Sequence, residues 1–137
     1  MHRILFKTAA FLAALSVIFG AFGAHALKDF VSVEDLNSAK TGINYQMFHS
    51  IAIFIAGMKY RHYPNKKILW ASYCFVIGII LFSGSLYAIV LLKTAGVPIN
   101  SIIAMLTPLG GISFVLGWLC MFMGIPSDES YTKKPKQ

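Results

Sequence analysis

Three polar side chains in one hydrophobic segment have the spacing of a shared helix face. Tyr45 and His49 are four residues apart, and Gln46 is three residues before His49. On a helix, residues at these spacings point to the same side. Phenol, amide and imidazole groups can all hydrogen-bond a ligand, and imidazole can also bind a metal ion. The three residues therefore indicate a candidate binding site.

Other hydrophobic segments carry polar residues at the same predicted depth. With about 1.5 Å of rise per residue, these residues fall in the half of each helix that faces the outside. Polar and ionisable groups inside a membrane are costly, and they mark a functional site by default. The candidate polar set is His25, Tyr45, Gln46, His49, Ser83, Ser85, Tyr87 and Thr107.

Three interpretations of this polar set stay open. The groups can join the helices in a hydrogen-bond network, at about 0.6–2 kcal/mol per bond. They can instead line a small cavity, open to the outside, that binds a ligand. His25 and His49 can also ligate a metal or haem, although no acid or third histidine lies at the same level and structural zinc usually has four ligands. We therefore expect no metal and no cofactor.

The sequence does not contain a standard catalytic arrangement. Every acidic residue lies in the first connection or in the tail, so no Ser/His/Asp set can form within the hydrophobic segments. Walker, H-E-x-x-H and C-x-x-C motifs are absent. Cys74 and Cys120 lie inside hydrophobic runs, where cysteine behaves as a small apolar residue. These observations predict a protein that is not an enzyme.

Four hydrophobic blocks must position these residues. Hydrophobic residues make up 57% of the 137 residues and charged residues only 12%, whereas soluble domains carry about 25% charged residues. About 20 apolar residues cross a bilayer as a helix. We predict an all-α membrane protein whose domain, residues 1–125, is a four-transmembrane-helix up-down bundle, with a polar, disordered tail at 126–137. The predicted spans are 4–24, 43–60, 68–92 and 102–125.

The first connection carries a helix-start signal. Ser32, with Asp35 three residues later, is a variant of the capping box, in which Asp replaces the usual Glu or Gln. This pair predicts a helix that starts near Val33 and continues into the second span. The other two connections are short, which favours antiparallel neighbouring helices.

The distribution of Lys and Arg predicts the orientation. Nine lie at the N-terminus, in the second connection and in the tail, and three lie on the opposite side. Because cytoplasmic loops carry the excess of Lys and Arg, both termini are expected in the cytoplasm. The basic residues behind the net charge of +7 thus anchor and orient the chain in the lipid bilayer, and no nucleic-acid partner is expected.

The N-terminal block could also be a secretory signal, since Ala24-His25-Ala26 imitates a cleavage site. Its hydrophobic run of about 20 residues is longer than the 7–15 residues typical of a signal peptide. We therefore expect this block to be retained as the first span.

Small residues predict where the helices pack closely. Spacings of four and seven residues define two stripes, which serve packing within the chain or between copies of it, and we favour packing within the chain. A kink is expected at Pro108, because proline removes a helix hydrogen bond. The stripe residues are Ser16, Gly20 and Ala24 in the first span, and Gly110, Gly117 and Gly124 in the fourth.

Four sequence blocks resemble one family of small bacterial membrane proteins, catalogued as domain of unknown function 423. They are GAFGAHALK at 20–28, YQMFH at 45–49, FSGSLY at 82–87 and TPLGG at 107–111. The blocks occur in the family's order, and the resemblance covers roughly residues 4 to 124.

The resemblance implies a four-span inner-membrane protein whose molecular function is unassigned, with relatives in animal mitochondria. It implies no substrate or cofactor. Our leading hypothesis is a non-enzymatic structural or accessory subunit, with a larger membrane complex or a homo-oligomer as partner. The alternatives are a binding protein or minimal transporter with a polar cavity in the outer half, and a metal or haem site formed by two histidines.

Overall fold

The computed structural model describes residues 1–25 and 30–125, and within these residues it contains helices and no strands. A π-helical turn, Ile79–Ser83, joins α3 to α4, so that residues 66–94 form one continuous rod. The predicted tail at 126–137 and the side chains of Ala24 and His25 lie outside what is described. The helices are α1 (His2–His25), α2 (Val33–His62), α3 (Lys66–Gly78), α4 (Gly84–Thr94) and α5 (Ser101–Gly124).

The second helix begins where the capping signal predicts. Ser32 is the N-cap of α2, and its hydroxyl accepts a hydrogen bond from the Asp35 amide at 3.1 Å. The same hydroxyl donates to the Asp35 carboxylate at 2.7 Å. The prediction of a helix from Val33 into the second hydrophobic block is therefore confirmed.

Three helical segments are long and apolar enough to cross a membrane: His2–Gly23, Lys66–Thr94 and Ser101–Gly124. The second helix, α2, is not among them, so the predicted second span, 43–60, and with it the total of four spans, stays a prediction. Its 30 residues extend for roughly 45 Å. Its polar residues Gln46, His49 and Ser50 are buried, while Phe48 and Phe54 are exposed.

Along the chain, α1, α2, the rod and α5 each run antiparallel to the next, so their ends meet in two groups. At one end, Gly57 lies against Leu5 and Phe6, and the Asn65 amide donates to the Gly124 carbonyl at 3.2 Å. We call this the basic end. The Lys and Arg residues near it are Arg3, Lys7, Lys59, Arg61, Lys66 and Lys67.

The opposite end joins the start of α2 to the end of α4. The Lys93 ammonium donates to the Asp35 carboxylate at 2.7 Å. Glu34 and Asp35 at this end are the acidic residues of the part of the chain that the structure describes.

The apolar core lies between α2, α3 and α5, with α1 packed along α2. Phe75, Ile53 and Ile68 are almost completely buried in it. The rod formed by α3, the π turn and α4 contacts both α2 and α5. This central rod therefore sets how the polar residues of α2 meet those of α5.

One predicted glycine stripe lies at the closest approach of α5 to the rod. A Cβ at Gly117 would lie 2.6 Å from Phe75 Cδ1, and one at Gly124 would lie 2.6 Å from Ile68 Cδ1. A Cβ at Gly110 would collide with the backbone nitrogen of Phe82. Glycine at these three positions therefore allows α5 to pack close to the rod, and at Gly110 the obstacle to a larger residue is backbone.

The stripe of α1 faces α2. The buried hydroxyl of Ser16 donates to the Ile43 carbonyl at 2.8 Å, and a Cβ at Gly20 would lie 3.8 Å from the Ile43 side chain.

In α5, the helix continues through Pro108, and the predicted kink there stays a prediction.

Candidate functional site

Gln46 connects three helices through both ends of its amide. Its Nε2 donates to the Leu12 carbonyl of α1 at 2.9 Å, and its Oε1 accepts from the Tyr87 hydroxyl of α4 at 2.9 Å. The side chain is 3% exposed. Because a buried amide without partners is strongly destabilising, this arrangement favours one register of α1, α2 and α4.

The π turn brings two further groups against α2. The Ser83 hydroxyl donates to the Gly42 carbonyl at 2.8 Å. A Cβ at Gly42 would lie 2.8 Å from Tyr87 Cε1, so the tyrosine ring packs directly on the α2 backbone. A π turn inserts one extra residue into a helix. The side chains that follow it therefore point in a different direction around the helix axis.

His49 has both ring nitrogens in hydrogen bonds. The Trp118 indole of α5 lies 3.2 Å from Nε2, and the Tyr45 carbonyl lies 2.8 Å from Nδ1. Because an indole N–H only donates, Nε2 must be the acceptor and Nδ1 must carry the proton. The geometry therefore selects one neutral tautomer, with its ring held between α2 and α5.

Aromatic rings surround the His49 imidazole. It is stacked on Phe114, with the ring centroids 3.6 Å apart and an interplanar angle of 10°. Tyr45 is stacked on Phe82 at 4.5 Å, and Phe75 meets Trp118 edge-on at 5.1 Å. The imidazole is 6% exposed, so these rings shield it from the surroundings.

Ser85 and Thr107 join α4 to α5 through a hydroxyl pair, with the two oxygens 2.7 Å apart. Ser85 donates its proton to the Phe82 carbonyl at 2.9 Å. Thr107 is therefore the donor to Ser85 Oγ.

The structure thus separates the predicted polar set into groups. Gln46, Tyr87 and Ser83 connect α2 to α1 and to the rod, while His49 and Tyr45 face the aromatic rings of α5 and the π turn. The sequence predicted one common direction for Tyr45, Gln46 and His49. Gln46 instead contacts α1 and α4, because α1 and the rod both pack along α2.

Hydrogen bonding is complete among the described residues: no buried side-chain nitrogen or oxygen lacks a partner. A groove of about 180 Å³ lies beside Tyr87, between α1, α2 and α4. Its walls are apolar, from Phe19, Phe22, Ile43 and Leu91. This groove borders the Gln46 group without being lined by Gln46.

A metal ion would find few ligands in the described part of the chain, which contains no cluster of three or more His, Cys, Asp or Glu side chains. At His49, the lone pair of Nε2 is used by the Trp118 indole. Binding a metal there would first require this hydrogen bond to break.

One ion pair among the described residues lies at the opposite end, outside the predicted spans 43–60 and 68–92. The Lys93 ammonium, followed by the Ser32 hydroxyl, holds the pKa of the Asp35 carboxyl below its ordinary value. The same carboxylate raises the pKa of the Lys93 amine. The pair keeps the start of α2 close to the end of α4 across the neutral pH range.

Comparison with known proteins identifies the family. The model of a protein family of unknown function, DUF423, matches residues 19–111. The chain belongs to this family. The DUF423 match includes all eight residues of the candidate polar set and ends before Gly117 and Trp118.

Proteins similar in sequence to this DUF423 member are named membrane proteins. The UPF0382 inner membrane protein YgdD of Escherichia coli K12 is 34% identical over 122 residues, covering 89% of this chain and 88% of the relative. A UPF0382 membrane protein of Haemophilus influenzae is 37% identical over 123 residues, covering 87% of this chain and 94% of the relative. No solved structure matches. This DUF423 member is therefore a protein of the inner membrane.

Sequence reasoning missed the hydrogen-bond partners of the polar side chains. The Leu12 and Gly42 carbonyls have no signature in sequence, since every residue carries one. Trp118 does have a signal: its indole is a hydrogen-bond donor within an otherwise apolar stretch of α5, and a buried tryptophan N–H usually finds a partner. The π turn had no recognisable signal.

Proposed function

We propose that this DUF423 member is a non-enzymatic structural or accessory subunit of a larger membrane complex. The observation that carries the proposal is the use of its polar side chains. Gln46 and His49, the groups best suited to binding or proton transfer, have their polar atoms in hydrogen bonds, three of which join α2 to another helix. A rigid membrane-embedded body of this kind is suited to support a partner.

The side of α5 that faces away from the rod supports docking there. A Cβ at Gly111 would meet nothing within 4 Å, and Leu109 and Ile112 beside it are exposed. Transmembrane helices approach one another most closely at such small residues. The candidate partners are a larger complex and a second copy of the chain.

We also propose that α2 crosses the membrane as the second of four spans and that both termini are cytoplasmic. Support comes from the exposed side of α2, where Phe48, Ile51 and Phe54 suit contact with lipid. The basic end further agrees with a cytoplasmic location under the positive-inside rule.

Site-specific photo-crosslinking in the native membrane tests the docking proposal. A photoreactive residue at Ile112 on α5 should give a discrete protein adduct, whereas one at Phe11, an equally exposed position on α1, should give lipid adducts only. An adduct at twice the mass of the chain would identify a second copy as the partner. Lipid adducts alone at Ile112 would contradict docking.

A second candidate function is binding of a small apolar ligand in the groove beside Tyr87. The groove's apolar walls and volume of about 180 Å³ favour it over the polar cavity suggested by the sequence. Filling the groove with Ala39→Leu should remove a co-purifying small molecule detected by mass spectrometry, while Gly111→Leu should retain it. If the same molecules are found with both variants, the groove does not bind them.

Metal or haem binding has the least support, because both nitrogens of His49 are hydrogen-bonded. Elemental analysis of the purified protein tests it: a stoichiometric metal that is lost in His49→Gln would revive this alternative.

A further inference from the structure

The basic end carries positive charge that the described part of the protein does not neutralise. Six Lys and Arg residues lie there, whereas Glu34 and Asp35 lie at the opposite end. The one ion pair among the described residues, Asp35–Lys93, is also at the opposite end. Exposed lysines without a protein counter-charge attract anions from their surroundings.

Two adjoining clefts shape this surface at the connection between α2 and α3. The first, of about 630 Å³, is lined by Asn65, Lys66 and Lys67 together with His62 and Tyr63. The second, of about 420 Å³, is also lined by His62 and Tyr63. Because they share these two residues, the clefts form one continuous surface, which we call the basic cleft.

The chemistry of the basic cleft changes along its length. Ile55 and Met58 line the second cleft one to two turns before the end of α2, and both side chains are exposed. Lys66 and Lys67 line the first cleft, at the start of α3. Lys59 also lines the second cleft. The basic cleft thus runs from two apolar side chains beside Lys59 on the surface of α2 to two further amines at the start of α3.

The base of the cleft is fixed by hydrogen bonds. The Asn65 amide donates to the Gly124 carbonyl at 3.2 Å, and its oxygen accepts from the Lys67 backbone amide at 2.9 Å. The connection is therefore tied to the end of α5, while the Lys66 and Lys67 side chains stay exposed.

Aromatic residues place the cleft at the membrane surface. Trp70 and Tyr73 lie one to two turns into α3, are exposed, and meet edge-on at 6.2 Å. Exposed tryptophan and tyrosine are enriched at the level of the lipid headgroups. Ile55 and Met58, at the same distance from the connection as Trp70 and Tyr73, are therefore at the boundary between headgroups and acyl chains. Lys66 and Lys67 lie further out, on the aqueous side of this boundary.

We propose that the basic cleft binds an anionic phospholipid, with its phosphate on Lys66 and Lys67 and an acyl chain along Ile55 and Met58. A free phosphate would satisfy the amines alone, but it would leave the apolar part of the cleft without a role. The apolar-to-basic sequence of side chains matches a lipid that carries both parts.

Native mass spectrometry of the full-length protein in detergent tests the proposal, using phosphatidylglycerol against phosphatidylcholine. The wild type should retain phosphatidylglycerol preferentially. Lys66→Gln with Lys67→Gln should weaken this retention by about tenfold or more, and Lys66→Arg with Lys67→Arg should restore it. The matched control, Arg3→Gln with Lys7→Gln, removes the same charge at the same end outside the cleft and should change retention less than threefold.

Thermal unfolding of each variant separates loss of binding from loss of fold. If both charge-removing pairs weaken retention equally, the interaction is general surface attraction and the cleft is not a site. If the wild type does not prefer phosphatidylglycerol, the proposal is wrong. Competition by millimolar inorganic phosphate as effective as competition by the lipid would identify a free anion as the ligand and would also overturn it.

Discussion

The side-chain amide of Gln46 forms hydrogen bonds with two neighbouring helices. Its nitrogen and oxygen bind groups on α1 and α4, respectively, in a region where water is not available to replace either bond. Interhelical hydrogen bonds in membranes contribute about 0.6–2 kcal/mol each. The residue is thus expected to specify helix register as well as to stabilise the fold.

A double-mutant cycle measures this contribution. Gln46→Leu should lower the free energy of unfolding in mixed micelles by about 1–3 kcal/mol, since two bonds are lost, and Tyr87→Phe by about 0.6–1 kcal/mol. The double variant should be less destabilised than the sum of the two, because both single variants remove the Tyr87–Gln46 bond. Strict additivity would show that this bond does not contribute.

The Asp35–Lys93 pair predicts a dependence on pH. The pKa of Asp35 is lowered in the folded state, so its stabilising contribution is complete above the ordinary carboxyl pKa and is lost as the pH falls through the lowered pKa. The pKa of Lys93 is raised, so its contribution is lost only as the pH rises through that raised pKa. The contact should therefore persist throughout the neutral range.

Titration of the Asp35 carboxyl by carbon NMR checks this prediction. Lys93→Gln should move the midpoint up towards the ordinary value, and Ser32→Ala should move it up by less, because Lys93 is the larger cause. Lys40→Gln, which removes an exposed lysine elsewhere at this end, should leave the midpoint unchanged. An equal shift in all three variants would contradict the specific pairing.

At the scale of elements, adjacent glycines in α5 have opposite surroundings. Gly110 lies against the Phe82 backbone, whereas a Cβ at Gly111 would meet nothing within 4 Å. The seven-residue spacing to Gly117 and Gly124 separates Gly110 from Gly111 in the sequence, and the position of the rod gives the two glycines their different surroundings. The backbone of Phe82 cannot rotate away as a flexible side chain can.

Alanine substitution should separate these two glycines. Gly110→Ala should destabilise the protein by about 1–3 kcal/mol through overpacking, while Gly111→Ala should be neutral or stabilise it by up to about 1 kcal/mol through helix propensity. Unfolding in mixed micelles gives both values. If Gly110→Ala were as stable as Gly111→Ala, the close approach of α5 to the π turn would be wrong.

At the scale of the whole molecule, the inward polar side of α2 lowers its average hydropathy. Gln46, His49 and Ser50 are buried against other helices, while Phe48 and Phe54 are exposed. Mean hydropathy averages over both sides of a helix, so polar residues on the buried side lower it even when the other side is apolar. This explains why α2 is less apolar than the three helical segments long and apolar enough to cross a membrane.

Cysteine labelling in intact cells tests whether α2 crosses the membrane. In a variant without Cys74 and Cys120, a membrane-impermeant thiol reagent should label Phe30→Cys before α2, but label Pro64→Cys after α2 only once the cells are opened. Labelling of both positions from the same side would show that α2 does not cross. The reversed pattern would keep four spans but invert the proposed orientation.

The sequence by itself determined the helical class, the hydrophobic blocks, the start of α2 and the membrane location. These features depend on local composition and spacing, that is, on residues that are close together along the chain. Only the tertiary structure decided the partners of the polar residues: Gln46 with Leu12 and Tyr87, and His49 with Trp118. Backbone carbonyls look alike in sequence, and the π turn rotates the residues beyond it. Which donor meets which acceptor therefore follows from how the helices pack.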